Sequence, residues 1–340
     1  MKKVTIDDVA ERAGVSKTIA SFVLNNVVGR FSEESKGKVL QAVKELDYVP
    51  NVNAKNLRSN KSNAIMLVYS KEYLKEPNAS TMQFVVEMIK FAEQMEFEIN
   101  IRTTKNWNSI DEAVDEYVAL YNSGRAVGII FMPAHGEMDE KIFERLFQDY
   151  SVNIAVLSTS GGGKKYPTVY MDGYSHMESA LDFIVSKGYK EIYYISLKYN
   201  DKSHARLKAY SDYLKKGKTK GGFLEYKDFY RNKEELWNLV KPIIDNQKEN
   251  IAFACWNDVD AINLLELLNI YKVEKKYKIG VMGFDDILLS AHTTPPLTTV
   301  HYPFDESAKN AILIIEKGLG NKESPSSHSV NGYIVERESL

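Results

Sequence analysis

Residues capable of covalent chemistry occur along this chain, but not in the spacings that catalysis needs. Cys255 is the single cysteine, which excludes a zinc finger, and the six histidines show no metal-ligand spacing. Ser160-Gly161-Gly162-Gly163-Lys164-Lys165 is glycine-rich but lacks the G-x-x-x-x-G-K-S/T spacing that aims backbone amides at phosphates, so it reads as a surface loop. Gly280-Val281-Met282-Gly283-Phe284-Asp285 is not G-x-G-x-x-G, and no G-x-S-x-G elbow is present. The expectation is a protein that is no enzyme, with no catalytic constellation, no metal site and no cofactor. The chemistry left is recognition, and it is densest in the first sixty residues.

Thr5-Ile6-Asp7-Asp8-Val9-Ala10-Glu11-Arg12-Ala13-Gly14-Val15-Ser16 reads as a capped short helix, a glycine turn and a second helix start. Thr5 and Asp8 have capping-box spacing ahead of the apolar Ile6, Val9, Ala10 and Ala13. Gly14 supplies the tight turn, and Ser16 caps a helix in which Ile19, Ala20, Val23 and Leu24 recur at helical spacing. This is a helix-turn-helix, whose second helix presents its start to a DNA major groove. Ser32 caps a third helix with an expected buried face of Val39, Leu40, Val43 and Leu46. Pro50 then takes the chain out of the domain, and the polar stretch 51–61, with Leu57 as its lone large apolar residue, reads as a linker that is helical when docked.

Length and charge agree with a small head on a larger body. A chain of 340 residues, 44% hydrophobic, suits a small module plus two subdomains. Residues 1–62 hold 11 Lys and Arg against 7 Asp and Glu, and the remainder 33 against 39, giving +4 and −6 within the net −2. A basic head on an acidic body fits an anionic partner at the head. Met1-Lys2-Lys3 is followed by acidic residues rather than an apolar run, and no stretch reaches membrane-spanning length, so a soluble, cytoplasmic protein without a membrane partner is expected.

From Ala64 the texture becomes strand, helix, strand. Apolar runs at Ala64–Tyr69, Val127–Met132 and Asn153–Leu157 alternate with amphipathic stretches, and the pattern restarts at Val169 through strands at Glu191–Ser196, Ile251–Cys255 and Lys278–Gly283. Two successive βαβ series predict two doubly wound parallel sheets with a ligand crevice beyond the carboxyl ends of their strands.

Motifs spread along the whole chain then carry a resemblance. The chain resembles the LacI/GalR transcriptional regulators in T-I-D-D-V-A-E-R-A-G-V-S from Thr5, S-F-V-L-N from Ser21, L-D-Y-V-P-N from Leu46, N-A-K-N-L from Asn53, A-R-L-K-A-Y from Ala205, W-N-D from Trp256, V-M-G-F-D-D from Val281, P-P-L-T-T-V from Pro295 and E-R-E-S from Glu336. The resemblance implies an N-terminal all-α helix-turn-helix domain (1–48), a hinge helix or linker (49–62), and an α/β periplasmic-binding-protein-like body. That body would divide into an N-terminal effector subdomain (63–170 and 293–321) and a C-terminal one (171–292 and 322–340). It also implies a homodimer on a pseudopalindromic double-stranded DNA operator and a small-molecule effector, a sugar or sugar phosphate.

The resemblance assigns DNA contacts to Thr5, Ser16, Lys17, Thr18, Ser21, Phe22 and Asn25 in the head, and to Asn53, Ala54, Lys55 and Leu57 in the hinge. Phe22 stands where the commoner S-R-V-L-N form has arginine; phenylalanine offers apolar contact, for instance to a thymine methyl, where arginine pairs with guanine. Leu57 matches the hinge leucine that wedges open a minor-groove base step, the alternative being packing on the body. In the body, Arg206, Asn257 and Asp285 match cleft positions, a guanidinium, amide and carboxylate suited to vicinal hydroxyls. Trp256 fits either a stacking platform or core packing, and Asp172 either a cleft position or a helix cap. Asp258 and Asp286 read as helix-start or turn residues near exposed amides. The family's frequent N-P-F after the first strand is missing from 75–81.

The expected function is a ligand-responsive repressor of carbohydrate-utilisation genes, released by its effector. Alternatives are a corepressor-dependent regulator sensing a nucleobase or phosphosugar, a solute-binding protein with the same body, and a sugar-active enzyme with a fused regulator head.

Overall fold

A computed structural model of the chain describes residues 5–24, 30–46, 62–71, 79–133, 140–158, 164–197, 205–226, 233–272, 277–319 and 326–340. The chain divides into two compact units, Met1–Ser62 and Asn63–Leu340.

In the first unit α1 (Ile6–Ala13), α2 (Lys17–Leu24) and α3 (Glu33–Glu45) surround one small core. The Thr5 hydroxyl accepts from the Asp8 amide at 3.4 Å while the Asp8 carboxylate accepts from the Thr5 amide at 2.6 Å, which closes the capping box. Gly14 ends α1 at φ 64°, left-handed backbone where a side chain would be strained. Ser16 caps α2 by accepting from Ile19 at 3.2 Å, and Ser32 caps α3 by accepting from Ser35 at 3.2 Å. Val9, Ala20, Val23, Val39 and Ala42 fill the core, with Phe31 packed beside them. One expectation fails here: Leu40 is exposed and Ala42 is buried, because α3 turns its 39/42 row inward.

The second unit holds two sheets. The first runs β11-β5-β4-β3-β1-β2, built from β1 (Ala64–Tyr69), β2 (Glu98–Thr103), β3 (Gly128–Met132), β4 (Ile154–Ser158), β5 (Thr168–Tyr170) and β11 (His328–Ser329), all parallel. Its faces carry α4 (Ala79–Gln94), α5 (Ile110–Asn122), α6 (Glu140–Gln148) and α11 (Phe304–Leu319). The second runs β12-β10-β9-β8-β6-β7, from β6 (Glu191–Leu197), β7 (Phe223–Tyr226), β8 (Ile251–Cys255), β9 (Ile279–Asp285), β10 (Thr298–His301) and the antiparallel edge strand β12 (Tyr333–Val335). It is covered by α7 (Gly173–Ser186), α8 (Ala205–Lys215), α9 (Lys233–Asp245) and α10 (Asp258–Ile270). Buried-on-both-faces strands such as Ala64–Tyr69 are continuously apolar for this reason.

The sheets redraw the expected subdomain boundaries. Residues 298–301 pair with β9 and so belong to the second sheet, not with 293–321 in the first; β11 pairs with β5 and so takes 328–329 out of the second. The chain therefore changes sheet after β5, after β10 and between β11 and β12. These three crossings converge on Gly332: a Cβ there would strike the His301 carbonyl and lie 3.0 Å from the Met171 sulfur. His176 closes the cluster, accepting from the Gly332 amide at Nε2 (2.9 Å) with Nδ1 2.7 Å from the Asp172 carbonyl, a pairing that requires the proton on Nδ1.

Candidate nucleic-acid interface and effector cleft

On the head, the exposed start of α2 carries Lys17 and Thr18, with Ser21 and Phe22 half-buried one turn on. Thr5 and Ser16 use their hydroxyls as caps, which fixes both helix starts. Lys17 Nζ lies 2.7 Å from Asp7 Oδ2 on α1. Arg12 pairs with Glu45 of α3, holding the outer helices together. Asn25, Asn53, Ala54, Lys55 and Leu57 lie outside the described residues.

In the body, the sequence-matched residues divide into two groups. Arg206, in the first turn of α8, is buried, with its guanidinium carbon 4.2 Å from the Trp256 ring centroid and 4.6 Å from that of Phe284. One of its terminal nitrogens donates to the Trp256 carbonyl, and its Nε, also buried, has no partner among the described residues. Trp256 is thus both core residue and cation platform. Asp285 ends β9 at φ 118°, backbone that only a well-supported site sustains. Burial pushes its carboxyl up to about 6, against the opposing pull of Arg206 and of a hydrogen bond from Ser80. Ser80 belongs to the first turn of α4, so groups from both sheets meet at this carboxylate. Tyr302, on the crossing after β10, is raised by burial and further by the Asp285 charge.

Two candidates serve the scaffold. Asn257 caps α10, its Oδ1 accepting from the Asp260 amide at 2.9 Å; Asp172 caps α7, accepting from the Tyr174 amide at 3.1 Å. Asp258 opens α10, the helix-start position expected of it, but neither its carboxylate nor that of Asp286 serves exposed amides. Asp258 is fully buried and accepts from the Ile287 amide at 2.9 Å, the Ser290 hydroxyl at 2.6 Å and the Thr299 hydroxyl, tying α10 to β10. Burial, reinforced by Asp285, pushes it up to about 7. Asp286, at φ 58°, is held by Arg337 at 2.7 Å and His301 at 3.0 Å, which keep its carboxyl below the usual range despite burial. Sequence reasoning missed Ser80, Phe284 and Tyr302. Phe284 stands inside G-F-D-D and Tyr302 just past P-P-L-T-T-V, but neither type announces its place beside Arg206 and Asp285.

Comparison with known proteins falls on the same two units. Residues 5–51 match the family described as bacterial regulatory proteins, lacI family, and residues 181–340 match the periplasmic binding protein-like domain. The HTH-type transcriptional regulator RegA of Clostridium saccharobutylicum is 26% identical over 98% of this chain and 98% of its own. The HTH-type transcriptional repressor PurR of Vibrio cholerae is 26% identical over 99% of this chain and 98% of its own. Among solved structures, the Lac repressor dimer bound to operator and an anti-inducer superposes with a TM-score of 0.81 at 20% identity over 99% of both chains. A CelR–cellobiose complex superposes at 0.65 with 18% identity, over 99% of this chain and 100% of its own. A helix-turn-helix head on a two-sheet binding body defines a ligand-responsive, sequence-specific DNA-binding regulator, not an enzyme. The chain belongs to the LacI/GalR family of bacterial transcriptional regulators. Among the described residues no helix is long and apolar enough to cross a membrane.

Proposed function

We propose that this regulator is a cytoplasmic homodimeric repressor of carbohydrate-utilisation genes, released from a pseudopalindromic operator by a sugar-like effector bound at Arg206 and Asp285. The observation that carries this reading is the buried guanidinium packed against the Trp256 and Phe284 rings, its Nε unpartnered among the described residues, and its pull on a carboxylate that Ser80 of α4 also bonds. An apolar face, a fixed donor and an adjacent acceptor suit a polyhydroxylated ring. A ligand bridging both sheets favours one arrangement of them, and the DNA affinity follows that arrangement. Asn257 and Asp172 contribute as helix caps, and Trp256 contributes the ring that packs on Arg206.

Dimerisation has a matching surface. Met82, Val86 and Ile89 lie at i, i+4 and i+7 on α4 and are each about half exposed, with Ile101 exposed on edge strand β2. Such a stripe suits a second copy of the chain. Calorimetric titration of candidate mono- and disaccharides into free protein and into the protein–operator complex tests the whole reading. The effector should bind the free protein more tightly, and by linkage weaken operator binding by the same factor. Asp285→Ala should cost a hundredfold or so in effector affinity, about 3 kcal/mol for a buried contact, and leave operator binding intact. Equal affinities with and without operator, unchanged by the substitution, would remove the regulatory role of this cleft.

A further inference from the structure

The Lys17–Asp7 pair joins the start of α2 to the first turn of α1. Its side chains are 45% and 62% exposed, and an ion pair that open to water adds only about 0–1 kcal/mol to stability. Nor does Asp7 cap α1, because Thr5 and Asp8 do that. A carboxylate beside the base-reading end of α2 opposes binding to a polyanion and cancels one of the head's cations. A face that only gripped phosphates would gain by losing it.

We infer that Asp7 and Lys17 act as one unit that reads a single G·C pair in the major groove of each half-site, Lys17 donating to guanine O6/N7 and Asp7 accepting from the cytosine N4 amino group. This inference rests on α2 being the base-reading helix. The major-groove edge of G·C presents two acceptors, then a donor. Guanine O6 and cytosine N4 are themselves hydrogen-bonded partners, about 2.9 Å apart, and the Lys17 and Asp7 atoms stand 2.7 Å apart. The two charges can therefore pass from each other to the base-pair edge with neither left unpaired. An A·T edge presents acceptor, donor, acceptor and methyl. In one strand order the carboxylate faces thymine O4; in the other it can accept from adenine N6, but the lysine then finds one acceptor beside the thymine methyl, so only G·C gives the ammonium two acceptors with a donor for the carboxylate. On nonspecific DNA the pair stays closed and withholds a cation from the phosphates.

The test selects operators from a duplex pool with randomised half-sites, using the full-length chain, D7A, D7S and K17A, and follows with titrations on the selected and random duplexes. The original chain should enrich a G·C pair at one position of each half-site. D7A and D7S should reduce that preference by about fivefold or more, the lower end of what a paired base contact discriminates, and should bind random duplex more tightly. K17A should abolish the preference. The three substitutions, at two exposed positions, leave the fold intact, which thermal melts of all variants check. If D7A and D7S enrich the same pair as strongly as the original chain, or if no Asp7-dependent position is G·C, the inference is overturned. A pool from which the original chain enriches no sequence at all would overturn the base-reading role of α2 itself, a distinct failure.

Discussion

Asp258→Asn isolates the cost of keeping a carboxylate inside the second subdomain. Asp258 is fully buried and held up to about 7, chiefly by burial and then by the Asp285 charge. In the unfolded chain it ionises near the ordinary value of 3.8. Between those two values the folded state binds a proton that the unfolded state has released, so stability falls as pH rises from about 4 to about 7 and levels off above. A displacement of about three pH units corresponds to about 4 kcal/mol. Asparagine keeps an acceptor for the Ile287 amide and Ser290 hydroxyl, and its amide can donate to Thr299 once that hydroxyl turns. The variant should therefore lose Asp258's share of the pH dependence, leaving that of the buried Asp285, while keeping the connections. Urea unfolding at pH 4.5 to 7.5, read from the fluorescence of Trp237 and Trp256, both packed in this subdomain, gives the stability of each protein. The variant should gain about 3–4 kcal/mol on the original chain across that range, most of it below pH 7. A stability difference constant to within about 1 kcal/mol would show that Asp258 is ionised throughout, its three donors outweighing burial.

Gly283→Ala should destabilise the same subdomain by about 3 kcal/mol, because its Cβ would land on the Asp258 carboxylate behind a central strand that cannot shift; urea unfolding measures this, and a loss below about 1 kcal/mol would contradict it. Val86→Glu should convert the dimer to a monomer in sedimentation and lower operator affinity about a hundredfold or more, since the second half-site is no longer linked. Leu57→Ala should weaken operator binding about tenfold while leaving random DNA nearly unaffected, as a wedge matters only where the central step is kinked; equal loss on both would point to packing instead.

The difference between what the residues announced and what they hid is itself physical. Caps and periodicity are local: Thr5 with Asp8, Ser16 and Ser32 each needed only neighbours within four positions, and each cap forms. Strand Ile251–Cys255 was legible to the residue because burial on both faces leaves no polar interruption. Long-range pairing leaves no such trace. Nothing local tells that β10 joins β9 rather than the first sheet, so residues 298–301 lie in the second sheet against the expected boundary. The acidic doublets show the same limit most sharply. N-D at 257–258 and D-D at 285–286 look alike as polar doublets after a strand, yet the four residues become a cap, a buried three-donor hub, a buried carboxylate beside Arg206 and half of an ion-pair cluster. What separates them is which strand ends beside them, because that neighbour decides whether a carboxylate meets donors, a cation or water. Asp286, anchored by Arg337 and His301, also fixes the positive-φ bend that aims Asp285. If Asp285 holds the effector as proposed, that site depends on a residue about fifty positions away in the chain, and loosening Arg337 should disturb effector binding before it disturbs the fold.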